Sequence, residues 1–126
     1  MKNIDPSYVG LDSANLLKGV GFIFPPISVF IDKCFIEDVG YEYSNNMNVE
    51  GYVSAPEHWL VIDWLMIEHD IFISVGVQIG AHREIFDYTI YSVEMGLESK
   101  IASGEGFLTP YLATEDAIRY VLTHLI

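Results

Sequence analysis

Three short clusters place a histidine beside a carboxylate, the combination that general acid–base catalysis and metal binding both use. The clusters are Glu57-His58, Glu68-His69-Asp70 and His82-Arg83-Glu84. None has the spacing of a metal-binding motif. On a strand, neighbouring residues point to opposite faces, so a histidine and the acid next to it would not converge on one site. Because exposed histidines and acids are common on protein surfaces, we interpret all three clusters as solvated turn residues. The sequence therefore predicts no catalytic residue, no metal site and no cofactor, and we expect that the protein is not an enzyme.

Two further motifs also lack the partners that their chemistry needs. The glycines of Ser103-Gly104-Glu105-Gly106 are typical of a phosphate-binding loop, but Glu105 would repel the anion and no lysine follows at the required spacing. We expect a flexible loop there. Cys34 is the only cysteine, which excludes an intramolecular disulfide and a two-cysteine metal site. We interpret it as a buried structural thiol.

The charge distribution says more about partners than any motif does. The chain carries 18 acidic and 6 basic residues, a formal charge of −12 in 126 residues. Between Lys33 and Arg83, 49 consecutive positions hold eight carboxylates and no lysine or arginine. Such a field repels nucleic acid and anionic lipid, and it attracts basic surfaces over a Debye length of about 8 to 10 Å. We therefore expect a basic protein partner and no direct contact with nucleic acid.

The composition is that of a folded protein. Hydrophobic residues make up 51% of the chain and aromatic residues 13%, whereas disordered acidic chains lack aromatic and β-branched residues. The length predicts a single domain over residues 1–126. The most apolar segment, Trp59 to Ile67, is too short to span a bilayer and contains Asp63. The first six residues lack the apolar run of a secretory signal. We expect a soluble, cytoplasmic protein that does not contact membranes.

The first half of the chain has mixed helical and strand patterns. Asp12 to Gly19 predicts a short helix with Asp12 as N-cap. From Pro26 the apolar spacing favours a second helix that ends before Gly40. A strand is the alternative, because Val29 and Ile36 fall outside the helical stripe. The segment from Val49 to Ser54 predicts a strand. Trp59 to Ile67 is interpreted as a buried strand, with a helix as the alternative, because a helix would place Val61 and Leu65 on the face of Glu57, Glu68 and His69.

The second half is more regular. Strict alternation predicts a strand from Ile71 to Ile79, which pairs as an antiparallel hairpin with a strand from Ile85 to Val93. Met95 to Leu112 contains three glycines and a proline, so we expect an irregular excursion with a brief helical turn. A final helix follows from Ala113 to Ile126, capped by Thr114. Together these elements predict an α+β fold, in which an antiparallel sheet of hairpins packs against two or three helices and the C-terminal helix comes last.

The segment from about residue 54 to 126 also shows a family resemblance. It contains Pro56 and Trp59, then a strand that ends in Gln78-Ile79-Gly80, then the strand Glu84 to Ser92 and the closing helix. This order resembles small bacterial immunity proteins that accompany polymorphic or contact-dependent growth-inhibition toxins. The resemblance implies a protein that binds and neutralises the C-terminal domain of a cognate toxin. Such toxins are often basic nucleases, and carboxylates of the inhibitor can occupy the place of phosphates.

The resemblance transfers no binding residue, so the candidate contacts rest on charge alone. We predict four carboxylates and an aromatic anchor of the kind that dominates interface energies. These residues are Glu57, Asp63, Glu68 and Asp70, with Trp59 or Tyr52 as the anchor. Two alternatives stay open. One is a small α+β enzyme or ligand-binding protein with a pocket between sheet and helices, which would use an acid such as Asp63. The other is a structural subunit whose acidic face serves only solubility.

Overall fold

The computed structural model describes most of the chain as two compact units, Met1–His58 and Trp59–Ile126. The described residues are 8–22, 29–31, 34–36, 52–79, 84–94 and 97–126. They form, in chain order, α1 (Leu11–Gly19), β1 (Val29–Ile31), β2 (Cys34–Ile36), β3 (Tyr52–Ser54), α2 (His58–His69), β4 (Ile71–Ile79), β5 (Glu84–Glu94), β6 (Leu97–Phe107) and α3 (Pro110–His124). The predicted α+β class, with antiparallel sheets and a C-terminal helix last, is confirmed. That residues 1–126 form a single domain stays a prediction.

Helix α1 of the first unit forms where the sequence predicts it, with a different start. Its N-cap is Gly10, which offers no side-chain hydrogen bond, and Asp12 lies in the first turn. The assignment of Asp12 as N-cap is therefore wrong, although a carboxylate in the first turn still interacts favourably with the helix dipole. The helix ends at Gly19, as expected, and its inward residue Leu17 is fully buried.

The strands of the first unit correct the second predicted helix. β1 pairs antiparallel with β2 on one side and with β3 on the other. The helix expected from Pro26 to Gly40 is therefore wrong for Val29–Ile31 and Cys34–Ile36, where the strand alternative holds. Val29 and Ile36 fell outside the helical stripe, and in the structure they pair directly across two strands. Beta-branched residues fit such pleated pairs better than they fit helices.

For two other predictions in this unit, the structure describes only part of the residues concerned. The strand expected from Val49 to Ser54 is confirmed for Tyr52–Ser54, and residues 49–51 lie outside the described residues. Cys34 lies in β2, and the burial of its side chain is likewise outside them. Close to the end of the unit, the amide of Val9 donates to the carbonyl oxygen of Pro56 at 3.0 Å, and Tyr8 forms an isolated antiparallel bridge with Glu57.

Helix α2 replaces the buried strand expected from Trp59 to Ile67. The strand interpretation is wrong and the helical alternative is confirmed. The objection to a helix was that Val61 and Leu65 would share a face with charged residues, yet both are fully buried. Glu57 precedes the helix and Glu68 lies in its last turn, where a side chain reaches solvent easily. Among the described helices, none is both long and apolar enough to cross a membrane.

The second sheet has the order β4-β5-β6, with antiparallel pairing throughout. β4 has the predicted bounds, and its predicted hairpin with β5 is confirmed, with Ile73 opposite Ile90 and Val75 opposite Tyr88. The connection at residues 80–83 lies outside the described residues. α3 packs against all three strands, and its buried side chains line this contact. One sheet face is thereby covered by helix.

β6 corrects the expectation of an irregular segment from Met95 to Leu112. Leu97–Phe107 is an 11-residue strand paired with β5, so neither a helical turn near residues 97–102 nor a flexible loop at Ser103–Gly106 is present. Two register shifts interrupt the pairing, between Phe86 and Tyr88 and between Ile90 and Tyr91. Gly106, with φ 87°, lies at the first of these irregularities. Such bulges bend a strand and strengthen its twist.

Helix α3 begins three residues earlier than predicted, at Pro110 rather than at Ala113. Thr109 is the N-cap, its hydroxyl accepts from the amide of Leu112 at 3.1 Å, and Pro110 occupies the first turn. Thr114, the predicted cap, lies inside the helix and donates its hydroxyl to the carbonyl oxygen of Pro110 at 2.8 Å. Ile118, Val121 and Leu122 are buried and form the inward stripe of the helix.

Candidate functional site

One face of α2 exposes apolar side chains next to a carboxylate. Trp59 is 59% exposed, Ile67 76% and Met66 37%, and Asp63 is exposed between them along the chain. Spacings of three, four, seven and eight residues place side chains on the same side of a helix. We call these four residues the α2 face: Trp59, Asp63, Met66 and Ile67. Apolar groups exposed together are typical of interaction surfaces.

The opposite side of α2 is buried and fixes which way the helix faces. Val61 and Leu65 are fully buried, and Trp64 is 6% exposed. The Trp64 ring meets the ring of His69 edge to face, with centroids 4.8 Å apart. The two tryptophans of the chain therefore differ in role, because Trp64 packs in the interior while Trp59 presents a large aromatic surface to solvent.

The histidines of α2 do not behave as solvated turn residues. His58 is 6% exposed and opens the helix, and His69 closes it against Trp64. The interpretation of these two histidines as solvated turn residues is therefore wrong, because α2 begins at His58 and ends at His69. His82, in the third cluster, lies outside the described residues. His124 closes α3 and its ring lies 4.7 Å from that of Tyr120.

The C-terminal end of α2 adds a second exposed carboxylate. Asp70 follows the helix directly with φ 55°, a left-handed conformation that aspartate tolerates better than most residues. Its carbonyl oxygen accepts a hydrogen bond from the amide of Val93 at 2.8 Å, which anchors the helix end to β5. Neither Asp63 nor Asp70 forms an ion pair with any residue that the structure describes. Their negative charge is therefore not neutralised locally by those residues.

The structure brings together only part of the predicted contact set. Trp59 and Asp63 share the α2 face, and Asp70 lies exposed at its end. Glu68 is exposed, but its helical position is well away from Asp63 around the axis. Glu57 belongs to the first unit, where it is half-buried and bridges to Tyr8.

The side chain of one of the six predicted contact residues is not described, and two residues of the α2 face were not predicted. Tyr52 lies in β3, and its side chain is outside the described residues. The sequence pattern did not indicate Met66 and Ile67, whose exposure follows from the helical period once Val61 and Leu65 point inward. As partner-binding residues, all six candidates stay predictions.

The described residues contain no candidate metal-binding cluster and two tyrosines with raised pKa values. No group of three or more histidine, cysteine, aspartate or glutamate residues among them could hold a metal ion. Burial, together with a hydrogen bond to Asp116, raises the pKa of Tyr88 to about 12. Burial and the nearby Glu115 raise the pKa of Tyr111. Both changes move a phenol further from neutral pH, so neither tyrosine is prepared for proton transfer.

A comparison with known proteins finds no family model, no characterised protein and no solved structure that matches the chain. The resemblance to immunity proteins therefore stays a prediction.

Proposed function

We propose that this protein is an immunity protein of the bacterial cytoplasm, which binds the basic C-terminal domain of a cognate toxin and neutralises it. The observation that carries this proposal is the α2 face, where Trp59 and Ile67 are exposed beside Asp63. Apolar and aromatic groups supply the affinity of protein interfaces, and carboxylates supply charge complementarity to a basic partner. The sequence resemblance supports the same function independently.

Trp59 is the expected anchor of the interface. Tryptophan is among the residues most enriched at binding hot spots, where truncation to alanine costs about 2 kcal/mol or more. Met66 and Ile67 extend the apolar area around it, and apolar area contributes about 25 cal/mol per Å² when it is removed from water. A partner that covers this face therefore gains most of its affinity from the tryptophan and its neighbours.

Asp63 and Asp70 are expected to act mainly on the rate and on the choice of partner. Electrostatic steering raises association rates towards about 10⁸ to 10⁹ M⁻¹s⁻¹ at low salt. With a formal charge of −12, the whole chain contributes to this steering. If the toxin is a nuclease, carboxylates at the interface can occupy the positions of substrate phosphates and thereby block the active site.

Co-expression with a toxin domain tests the proposal. The C-terminal domain of a toxin encoded next to this chain is expressed in a sensitive host with and without the full chain. Growth rescue, together with a purified complex of the two proteins, is the expected result. If the chain neither binds that domain nor rescues the host, the proposal is wrong.

Variants then test whether the α2 face is the contact surface. Trp59→Ala should weaken toxin binding by about 30-fold or more, the equivalent of a hot spot of about 2 kcal/mol. Ile79→Ala is the matched control, because Ile79 is also a large apolar residue, is 84% exposed and lies on β4. Equal affinities of the two variants, with unchanged melting temperatures, would move the interface elsewhere.

A second pair of variants tests the carboxylates. Asp63→Asn combined with Asp70→Asn should slow association and flatten its dependence on salt. The control combines Glu84→Gln with Glu94→Gln, which removes two exposed charges from the ends of β5 and should slow association less. Similar rates for both double variants would show that only the total charge matters.

A further inference from the structure

A polar groove lies on the second sheet and shares no lining residue with the α2 face. Its cavity volume is about 370 Å³, which is within the range of sites for small molecules. Side chains from all three strands line it, and the strand register places them together: Gln78, Asp87, Thr89, Lys100, Ser103 and Glu105. Asp87 and Glu105 lie at the first irregularity in the pairing of β5 with β6, and Lys100 lies beside the second. Bulges of this kind bend a sheet.

Asp87 is held in a defined position in this groove. Gln78 donates its side-chain amide to Oδ2 of Asp87 at 3.1 Å. The other oxygen lies over Gly76, where an added Cβ atom would stand only 2.7 Å from Oδ1. A side chain at position 76 would therefore push the carboxylate away. The Asp87 carboxylate is thus oriented by the hydrogen bond from Gln78 and lies in the space that Gly76 leaves open.

The charges of the groove have both signs. Asp87 and Glu105 contribute two carboxylates, and Lys100 contributes an ammonium group. Lys100 makes no hydrogen bond or ion pair with any residue that the structure describes. In a chain with 18 acidic and only 6 basic residues, a lysine without such a partner, in a groove that two acids also line, is well placed to bind an anionic group of a ligand.

We propose that this groove binds a free basic amino acid, of the class of lysine and arginine. The ligand carboxylate pairs with Lys100, and its two cationic groups pair with Asp87 and Glu105. Gln78, Thr89 and Ser103 supply neutral hydrogen-bonding groups around them. A diamine would meet repulsion from Lys100, and a dicarboxylate would meet repulsion from both acids, so only a molecule with both kinds of charge satisfies the whole set. This inference does not rest on toxin binding.

Calorimetry and NMR titration of the full chain test the proposal with four probes. The probes are L-lysine, L-arginine, cadaverine, which lacks the carboxylate, and glutarate, which lacks the ammonium groups. Saturable binding of L-lysine or L-arginine, at least about tenfold tighter than that of cadaverine and glutarate, is expected. Chemical-shift changes should centre on Asp87, Lys100 and Ser103. If neither amino acid binds, or if cadaverine binds as tightly, the proposal is overturned.

Three variants show which groups recognise the ligand. Lys100→Gln should weaken L-lysine binding and strengthen cadaverine binding, because it removes the groove's only cation in the described residues. Gly76→Ala keeps every charge and should still lower affinity about tenfold by displacing Asp87. Glu94→Gln removes an exposed acid of β5 outside the groove and should leave affinity unchanged. If Glu94→Gln weakens binding as much as Asp87→Asn, with both variants folded, the ligand responds to overall charge and the proposed site is wrong.

Discussion

The phenol of Tyr88, in the middle strand of the second sheet, donates a hydrogen bond of 2.9 Å to the carboxylate of Asp116 on α3. Tyr88 is 4% exposed, and its ring lies 5.7 Å from that of Phe107. Arg119 contacts the other oxygen of Asp116 at 3.4 Å. This polar contact joins the helix to the sheet where the remaining packing is largely apolar, and it makes Tyr88 the most informative residue for testing the fold of the second unit.

Tyr88→Phe should lower the free energy of unfolding by about 1 to 2 kcal/mol, because it removes a hydrogen bond to a carboxylate and leaves the ring packing intact. Urea unfolding followed by circular dichroism measures the change. Tyr91→Phe is the matched control, since Tyr91 is a half-buried tyrosine of the same strand whose hydroxyl has no hydrogen-bond partner among the described residues. An equal loss in both variants would show that the bond to Asp116 contributes no stability.

The same contact predicts a loss of stability at high pH. Burial first, and then the hydrogen bond to Asp116, raise the pKa of Tyr88 from 10.0 to about 12. The folded state thus holds this proton more tightly than the unfolded state does. The stabilisation is complete below pH 10 and disappears as the pH rises to about 12.

Unfolding midpoints measured across this pH window, with tyrosinate absorbance as a second signal, test the shift. Wild type should lose its advantage over Tyr88→Phe as the pH rises through the window. A constant difference between the two proteins from neutral pH to pH 12 would contradict the raised pKa.

A methyl group at position 104 should disturb the same tyrosine. A Cβ atom added to Gly104 would press against the Tyr88 ring, with the Cζ atom at 2.7 Å. Overpacking of this kind costs about 1 to 3 kcal/mol, so Gly104→Ala should be destabilising by that amount. In Gly19→Ala the added Cβ meets nothing within 4 Å, and this variant should be neutral or slightly stabilising. If both substitutions leave the melting temperature unchanged, the ring does not occupy the space above Gly104.

Gly104 also explains why β6 could not be predicted from the sequence. Glycines and a proline between residues 95 and 112 are local signals for a loop. In the structure Gly104 faces the Tyr88 ring on the neighbouring strand, and Gly106 lies at a bulge. Both roles depend on tertiary contacts that no local pattern contains. By contrast, Ile71–Ile79 alternates strictly, and β4 has the predicted bounds.

The strand alternation of β4 predicted which residues share a face but not how far the face is covered. Ile71 and Ile73 are buried, whereas Val77 is 53% exposed and Ile79 84%. The candidate site shows a similar limit. Trp59 and Asp63 share a side in a strand as well as in a helix. In a strand, Val61 and Leu65 would lie on that same side, whereas in the helix they lie on the opposite, buried side. Because α2 carries apolar residues on nearly every side, its sequence shows no clear helical periodicity.

The cap of α3 gives a final test, because the sequence placed it at Thr114 and the structure places it at Thr109. The Thr109 hydroxyl accepts from the amide of Leu112 at 3.1 Å, so Thr109→Ala should cost about 0.5 to 2 kcal/mol of stability. Thr123→Ala, at an exposed position in the last turn of α3, should cost nothing, since alanine favours a helix more than threonine does. Thermal unfolding of both variants measures the difference. A loss only in Thr114→Ala, with Thr109→Ala unchanged, would restore the cap that the sequence predicts.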